Sequence, residues 1–148
     1  MFEEGTILYF TPFYFTKSAT TAPKPKYFIV IKRIDTVTIL ASLPSSQKHL
    51  PYNLQSVYGC ISLPESGIGC YVFEAGAPIA TNGFAFPLDS YLYGEHLDEH
   101  NLDNIFELYP FQGIHYHIKG QLLTEKLDEV IECLKQSPTV KRRFKRFL

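Results

Sequence analysis

Lys26-Tyr27-Phe28-Ile29-Val30-Ile31 is the stretch that decides the fold. It is apolar at almost every position and rich in aromatic and β-branched side chains. A strand of that kind has both faces covered, which places it at the centre of a sheet. Asp35-Thr36 then supplies a turn, and Val37-Thr38-Ile39-Leu40-Ala41-Ser42-Leu43 reads as the returning strand. So short a connection predicts an antiparallel hairpin, with Phe28 and Val30 buried.

Upstream, Gly5 opens Thr6-Ile7-Leu8-Tyr9-Phe10, a further strand, and Pro12 marks a bend after it. Residues 16–25 are rich in hydroxyls and proline without apolar period, which is a loop. Downstream, shorter strands are expected at residues 59–63, 70–73 and 84–88, separated by Gly and Pro. The pattern changes past residue 90. Ile114-His115-Tyr116-His117-Ile118-Lys119 alternates, placing the isoleucines and Tyr116 on one face and His115, His117 and Lys119 on the other. Helices are expected near residues 101–109, 124–136 and 138–147. In the second, Thr124 is the candidate cap and Leu127, Val130, Ile131 and Leu134 form the apolar stripe. In the third, Ser137 caps and Pro138 takes the first helical position.

Composition agrees with one mainly β, α+β domain over residues 1–148, strand-rich to residue 90 and mixed thereafter. Ten Tyr and twelve Phe with no Trp favour pleated surfaces. Many short strands with frequent turns suggest a small, partly open barrel followed by helices. No apolar run reaches the about 18 residues that would span a membrane. The acidic start, Met1-Phe2-Glu3-Glu4, is unlike a secretion signal. Three cysteines (Cys60, Cys70, Cys133) cannot all pair, which suits a reducing cytoplasm.

Charge is balanced overall, at 14 Lys+Arg against 15 Asp+Glu, but five of the last eight residues are basic. On a helix Lys141, Arg142, Arg143, Lys145 and Arg146 lie opposite Val140 and Phe144. Such a face fits a phosphate backbone or an acidic partner, or else a solvated surface complementing the helix dipole. His96/His100 and His115/His117 have spacings that can present two imidazoles to one metal from one side of a helix or strand, with Glu95, Asp98 and Glu99 beside the first pair. Solvent-facing histidines are the simpler account. No GxSxG, HExxH, P-loop or GxGxxG is present, and Cys133 lies among apolar neighbours. No cofactor is implied.

The loops flanking the hairpin carry Lys17, Lys24, Lys26, Lys48, Ser45, Ser46 and His49. Cations and hydroxyls beside one imidazole suit cleavage of RNA by its own 2′-hydroxyl, where a base takes the proton and cations hold charge on phosphorus. Gly5-Thr6-Ile7-Leu8-Tyr9-Phe10, the polar loop, Lys24-Pro25-Lys26 with the apolar strand, and Ile39-Leu40-Ala41-Ser42-Leu43-Pro44-Ser45-Ser46 together resemble the start of the PemK/MazF-like toxins of toxin–antitoxin systems. The two C-terminal helices resemble that family's tail.

The resemblance implies an SH3-like barrel, a homodimer, metal-independent endoribonuclease activity on single-stranded RNA and restraint by an antitoxin peptide. It places Lys26 at the family's arginine, with Tyr27 in place of a proline, and Ser45 or Ser46 at its threonine. His49 is then the candidate base. Lys17, Lys24, Lys48 and the basic C-terminus are the candidate RNA contacts. Two other readings stand beside it: a non-catalytic barrel binding a protein or RNA, and a metal-dependent enzyme using His96, His100, His115 and His117.

Overall fold

The structure, a computed structural model, describes residues 2–13, 24–51, 54 and 57–148. Lys17 and most of the loop expected at residues 16–25 lie outside the described residues. Among the described residues, eight strands form two antiparallel sheets. Strands β1 (Thr6–Phe13), β2 (Lys24–Arg33), β3 (Thr38–Ser42), β7 (Leu97–Asn101) and β8 (Tyr116–Gln121) make a five-stranded sheet in the order β7-β3-β2-β1-β8. Strands β4 (Gly59–Leu63), β5 (Ile68–Phe73) and β6 (Ser90–Tyr93) make a three-stranded one. Helices α1 (Leu102–Leu108), α2 (Thr124–Gln136) and α3 (Arg142–Lys145) complete the chain. The class is α+β, as expected, but among the described residues the strands form two separate sheets rather than the one partly open barrel expected.

The hairpin is as the sequence predicts. β2 and β3 pair antiparallel with Ile29 opposite Ser42 and Val30 opposite Ala41, and β2 is the middle strand of five. The Asp35 carboxylate fixes the turn by accepting the N–H groups of Val37 (2.9 Å) and Thr38 (2.8 Å). These bonds hold its pKa below the usual carboxylate value. Phe28 and Val30 are 0% exposed and pack with Leu8, Phe10 and Ile39 beneath Leu102 and Ile105 of α1. On the opposite face Ile29 and Ile31 meet Tyr71, Phe73 and Leu92 of the second sheet, together with Val130 and Leu134 of α2. Burial on both faces is why the run is continuous. Each such side chain contributes about 1.5–3 kcal/mol.

Several expectations change. Residues 84–88 form a loop, because the Gly76 and Ile79 amides bond to the Phe86 and Phe84 carbonyls in place of a ladder. Phe86 nevertheless reaches the core. Of the alternating stretch at residues 114–119 only Tyr116 goes inside, against Phe2 and Phe10. Ile114 precedes the strand and is 68% exposed, and Ile118 is exposed on an outer strand. Helix α2 has the expected span, but its cap position is Leu123 rather than Thr124, without a capping side chain.

The last helix is shorter than expected. Ser137 starts a turn: its hydroxyl accepts the Thr139 N–H at 3.3 Å and lies 3.0 Å from the Thr139 hydroxyl. This turn is wedged against two glycines. A methyl group on Gly69 would stand 2.1 Å from Ser137 Oγ, and one on Gly94 would stand 2.4 Å from both Ser137 Oγ and Thr139 Oγ1. Rotating the buried Ser137 hydroxyl would not relieve the clash at Gly69, because Ser137 Cβ and Pro138 Cδ also lie within 2.8 and 2.9 Å of that methyl position. Gly69→Ala is therefore expected to cost about 1–3 kcal/mol by overpacking. Urea unfolding measures this, and an unchanged midpoint would refute the wedge.

The thiols also differ from expectation. Cys60 of β4 and Cys133 of α2 form a disulfide with Cα atoms 5.5 Å apart, and only Cys70 is unpaired. Cys60 stands opposite Tyr71, whose face meets α2, whereas Cys70 points to the other face with Val72, Tyr91 and Tyr93. Alternation along the strand thus selects the pair.

Candidate functional site

Sheet topology collects the candidate groups at one end. Because β2 runs antiparallel to β3 and β3 to β7, the start of β2, the exit of β3 and the entry to β7 are neighbours: Ile29 faces Ser42, and Ser42 faces Leu97. Lys26, the chain from Ser45 to His49, and the turn Gly94–His96 therefore share that end.

The segment leaving β3 is tied to the second sheet. Ser45 and Tyr91 exchange backbone bonds of 3.0 and 2.7 Å. The buried Tyr93 hydroxyl donates to the Gln47 carbonyl at 2.6 Å and accepts the His49 N–H at 2.8 Å. The Tyr93 ring lies 5.6 Å from the His49 ring and 5.5 Å from the His96 ring, the latter edge-on at 86°. One phenol thus positions two imidazoles.

The electrostatics separate the groups. Desolvation of the packed ring lowers the His96 pKa; Glu95 pulls it back up, and smaller contributions from Lys26 and His49 lower it further. His96 is held toward the neutral form, which can accept a proton. Burial raises the Tyr93 pKa, so its hydroxyl stays protonated and remains a donor. Removing that hydroxyl in Tyr93→Phe leaves the Gln47 carbonyl and the His49 amide without it, a loss of about 1–3 kcal/mol. Faster hydrogen exchange at the His49 amide is the expected readout; unchanged exchange would mean the loop is held by other bonds.

The other predicted residues divide. Ser45 is half-buried and its hydroxyl accepts the Gln47 N–H at 3.1 Å, so it shapes the loop; Ser46, Lys48 and Lys24 are exposed. At the C-terminus, Val140 and Phe144 are buried as expected. Lys141, Arg142, Arg143 and Arg146 are exposed and Lys145 is half-buried. The guanidinium groups of Arg143 and Arg146 lie 4.8 Å from the Phe144 and Phe147 rings. Gly94 packs on Ser137, Thr139 and Val140, so the basic segment begins beside the turn that carries His96.

Neither histidine pair lies on a single helix or strand. His96 ends a short turn, whereas His100 lies on β7 with its ring 5.0 Å from Phe28. His115 accepts the Phe111 N–H at Nδ1 (3.1 Å) and stacks on that ring, and His117 stands opposite Tyr9. Among the described residues, no three His, Cys, Asp or Glu side chains form a group able to hold a metal ion.

The sequence gives no sign of a second feature. A cavity of about 260 Å³ is lined by Tyr58, Tyr71, Phe73, Pro78, Lys126 and Glu129. Tyr71 donates to Glu129 at 2.5 Å, and Lys126 lies 3.6 Å from the same carboxylate. These groups satisfy one another and tether α2 to β5.

No helix among the described residues is long and apolar enough to cross a membrane. Searches with protein-family models, the curated proteins and the solved structures find no match to this chain.

Proposed function

We propose that the protein is an endoribonuclease of the PemK/MazF-like toxin type, cleaving single-stranded RNA without a metal. The observation that carries this reading is the gathering of Lys26 and His49 at one end of the central sheet, beside His96. In the proposed reaction a base removes the 2′-hydroxyl proton, the 2′-oxygen bonds to phosphorus, and the bond to the 5′-oxygen breaks with a proton returned to that oxygen. Lys26 holds the added charge on phosphorus, His49 exchanges protons, and Ser45 orders the loop. Lysine supplies a point charge here, without the two-pronged geometry of arginine.

The rest of the reading follows the family. The two sheets, bridged at Ser45 and Tyr91, are taken as an opened SH3-like barrel. RNA would cross Lys24, Lys26 and Lys48 toward the basic C-terminus, with a homodimer and an antitoxin peptide as the expected assembly. A cytoplasmic location belongs to the same proposal, and there Cys60 and Cys133 would be held as thiols.

The test is incubation of folded protein with a panel of single-stranded RNAs in EDTA. Cleavage leaving 2′,3′-cyclic phosphate ends is expected, and an uncut panel ends the reading. The exposed cations of residues 141–146 favour one alternative, a non-catalytic RNA-binding module. That module would bind without cutting, and its affinity would fall steeply with salt.

A further inference from the structure

We infer that His96 is a further acid–base residue of this site, contacting the scissile phosphate between Lys26 and His49. The inference rests on the ribonuclease reading for its chemistry, and on the arrangement around Tyr93 for its geometry. Neither His96 nor the turn that carries it has a place in the resemblance to the toxin family.

Three observations carry it. Both imidazoles pack against the Tyr93 ring, at 5.6 Å for His49 and 5.5 Å for His96, and Tyr93 is itself buried and bonded at its hydroxyl. The platform is therefore rigid, as acid–base groups require. His96 is exposed to solvent despite that packing, so a substrate can reach it. The titratable groups whose charge reaches it are Glu95, Lys26 and His49. Two of the three are cationic or able to become so, and a phosphodiester placed among them is attracted.

The environment of His96 sets its role, and the other two groups take the complementary ones. His96, held toward its neutral form, takes the 2′-hydroxyl proton as the 2′-oxygen bonds to phosphorus. His49 gives a proton to the 5′-oxygen as that bond breaks. Lys26 stays charged throughout. One proton is taken and one returned, so the step needs no co-reactant.

The experiment has two parts, both on the full chain in EDTA. In the first, the imidazole resonances are titrated from acid to neutral pH with and without uridine 3′-monophosphate. Binding of its phosphate beside His96 is expected to raise that pKa by about 1 unit or more. In the second, the pH dependence of kcat/KM is compared for wild type, His96→Gln and His49→Gln. His96→Gln should lower kcat/KM by about 10²–10⁴-fold and remove the acid limb, with an unchanged thermal melt. Wild-type cleavage with an intact acid limb in His96→Gln overturns the inference and leaves the ribonuclease reading standing. No cleavage, with His96 still shifted by the nucleotide, overturns the ribonuclease reading and keeps the phosphate contact. No cleavage and no shift overturns both.

Discussion

Reducing the Cys60–Cys133 disulfide, or replacing Cys60 by Ser, is expected to lower the unfolding free energy by about 4 kcal/mol. The bond closes a loop across a sequence separation of 73 residues, and the chain entropy it removes from the unfolded state grows with loop length. For a chain of this size that corresponds to a fall in Tm on the order of 10 °C. The bond joins an exposed Cys60 to a buried Cys133, so reductant reaches it from the Cys60 side. Cys70 cannot substitute as a partner. It points to the opposite face of the sheet, and burial, with a smaller contribution from Glu95, pushes its thiol up to about 11. A thiolate is the attacking species, so Cys70 is inert at neutral pH. Peptide mapping should recover Cys60 linked to Cys133, and Cys70→Ser should leave the response to reductant unchanged. Three titratable thiols in the unfolded wild type, with a melting curve indifferent to reductant, would refute the bond.

What the sequence reveals follows from how each element is covered. The β2 run is legible because both its faces are buried, and α2 because one stripe is apolar. Strand β7 is not. Leu97 is its only fully buried residue, and Asp98, Glu99 and His100 read as a polar loop. Phe84 and Phe86 suggest a strand, yet their rings pack on Tyr27 from a loop held by the Gly76 and Ile79 amides. The basic tail is read correctly as cations outside and Val140 and Phe144 inside. Its helix is overextended because the contacts that stop it, Gly69 and Gly94 on Ser137, are distant in sequence.

The site divides in the same way. Lys26 lies near the start of β2 and His49 on the segment that leaves β3, so the two flank one hairpin and a sequence can place them together. His96 is hidden by its own spacing to His100. Four residues suggest a shared helical face, but Gly94 begins a tight turn there and the chain then enters a strand. The disulfide is hidden for a related reason. Spacing alone does not determine which cysteines pair. Only the alternation of β4 and β5 beneath α2 decides it.

A large effect on activity is expected at Lys26. A ribonuclease working without metal has to neutralise charge that appears on phosphorus only in the transition state, and losing one preorganised donor there costs about 10²–10³ in rate. Lys26→Ala should therefore lower kcat by that factor and change KM little, whereas Arg142→Ala with Arg143→Ala should raise KM and flatten the salt dependence while sparing kcat. Lys26→Arg should keep most of the rate, since a guanidinium preserves the charge and adds a second donor. Lys26 is half-buried on the central strand opposite Phe10, so unfolding of the alanine variant has to be measured alongside. The arginine variant keeps the comparison sound if alanine destabilises the strand. Equal cleavage by wild type and a folded Lys26→Ala would place the charge-stabilising group elsewhere. The same loss of kcat in both Lys26 variants would mean that the position demands the ammonium itself, with a geometry arginine cannot reproduce.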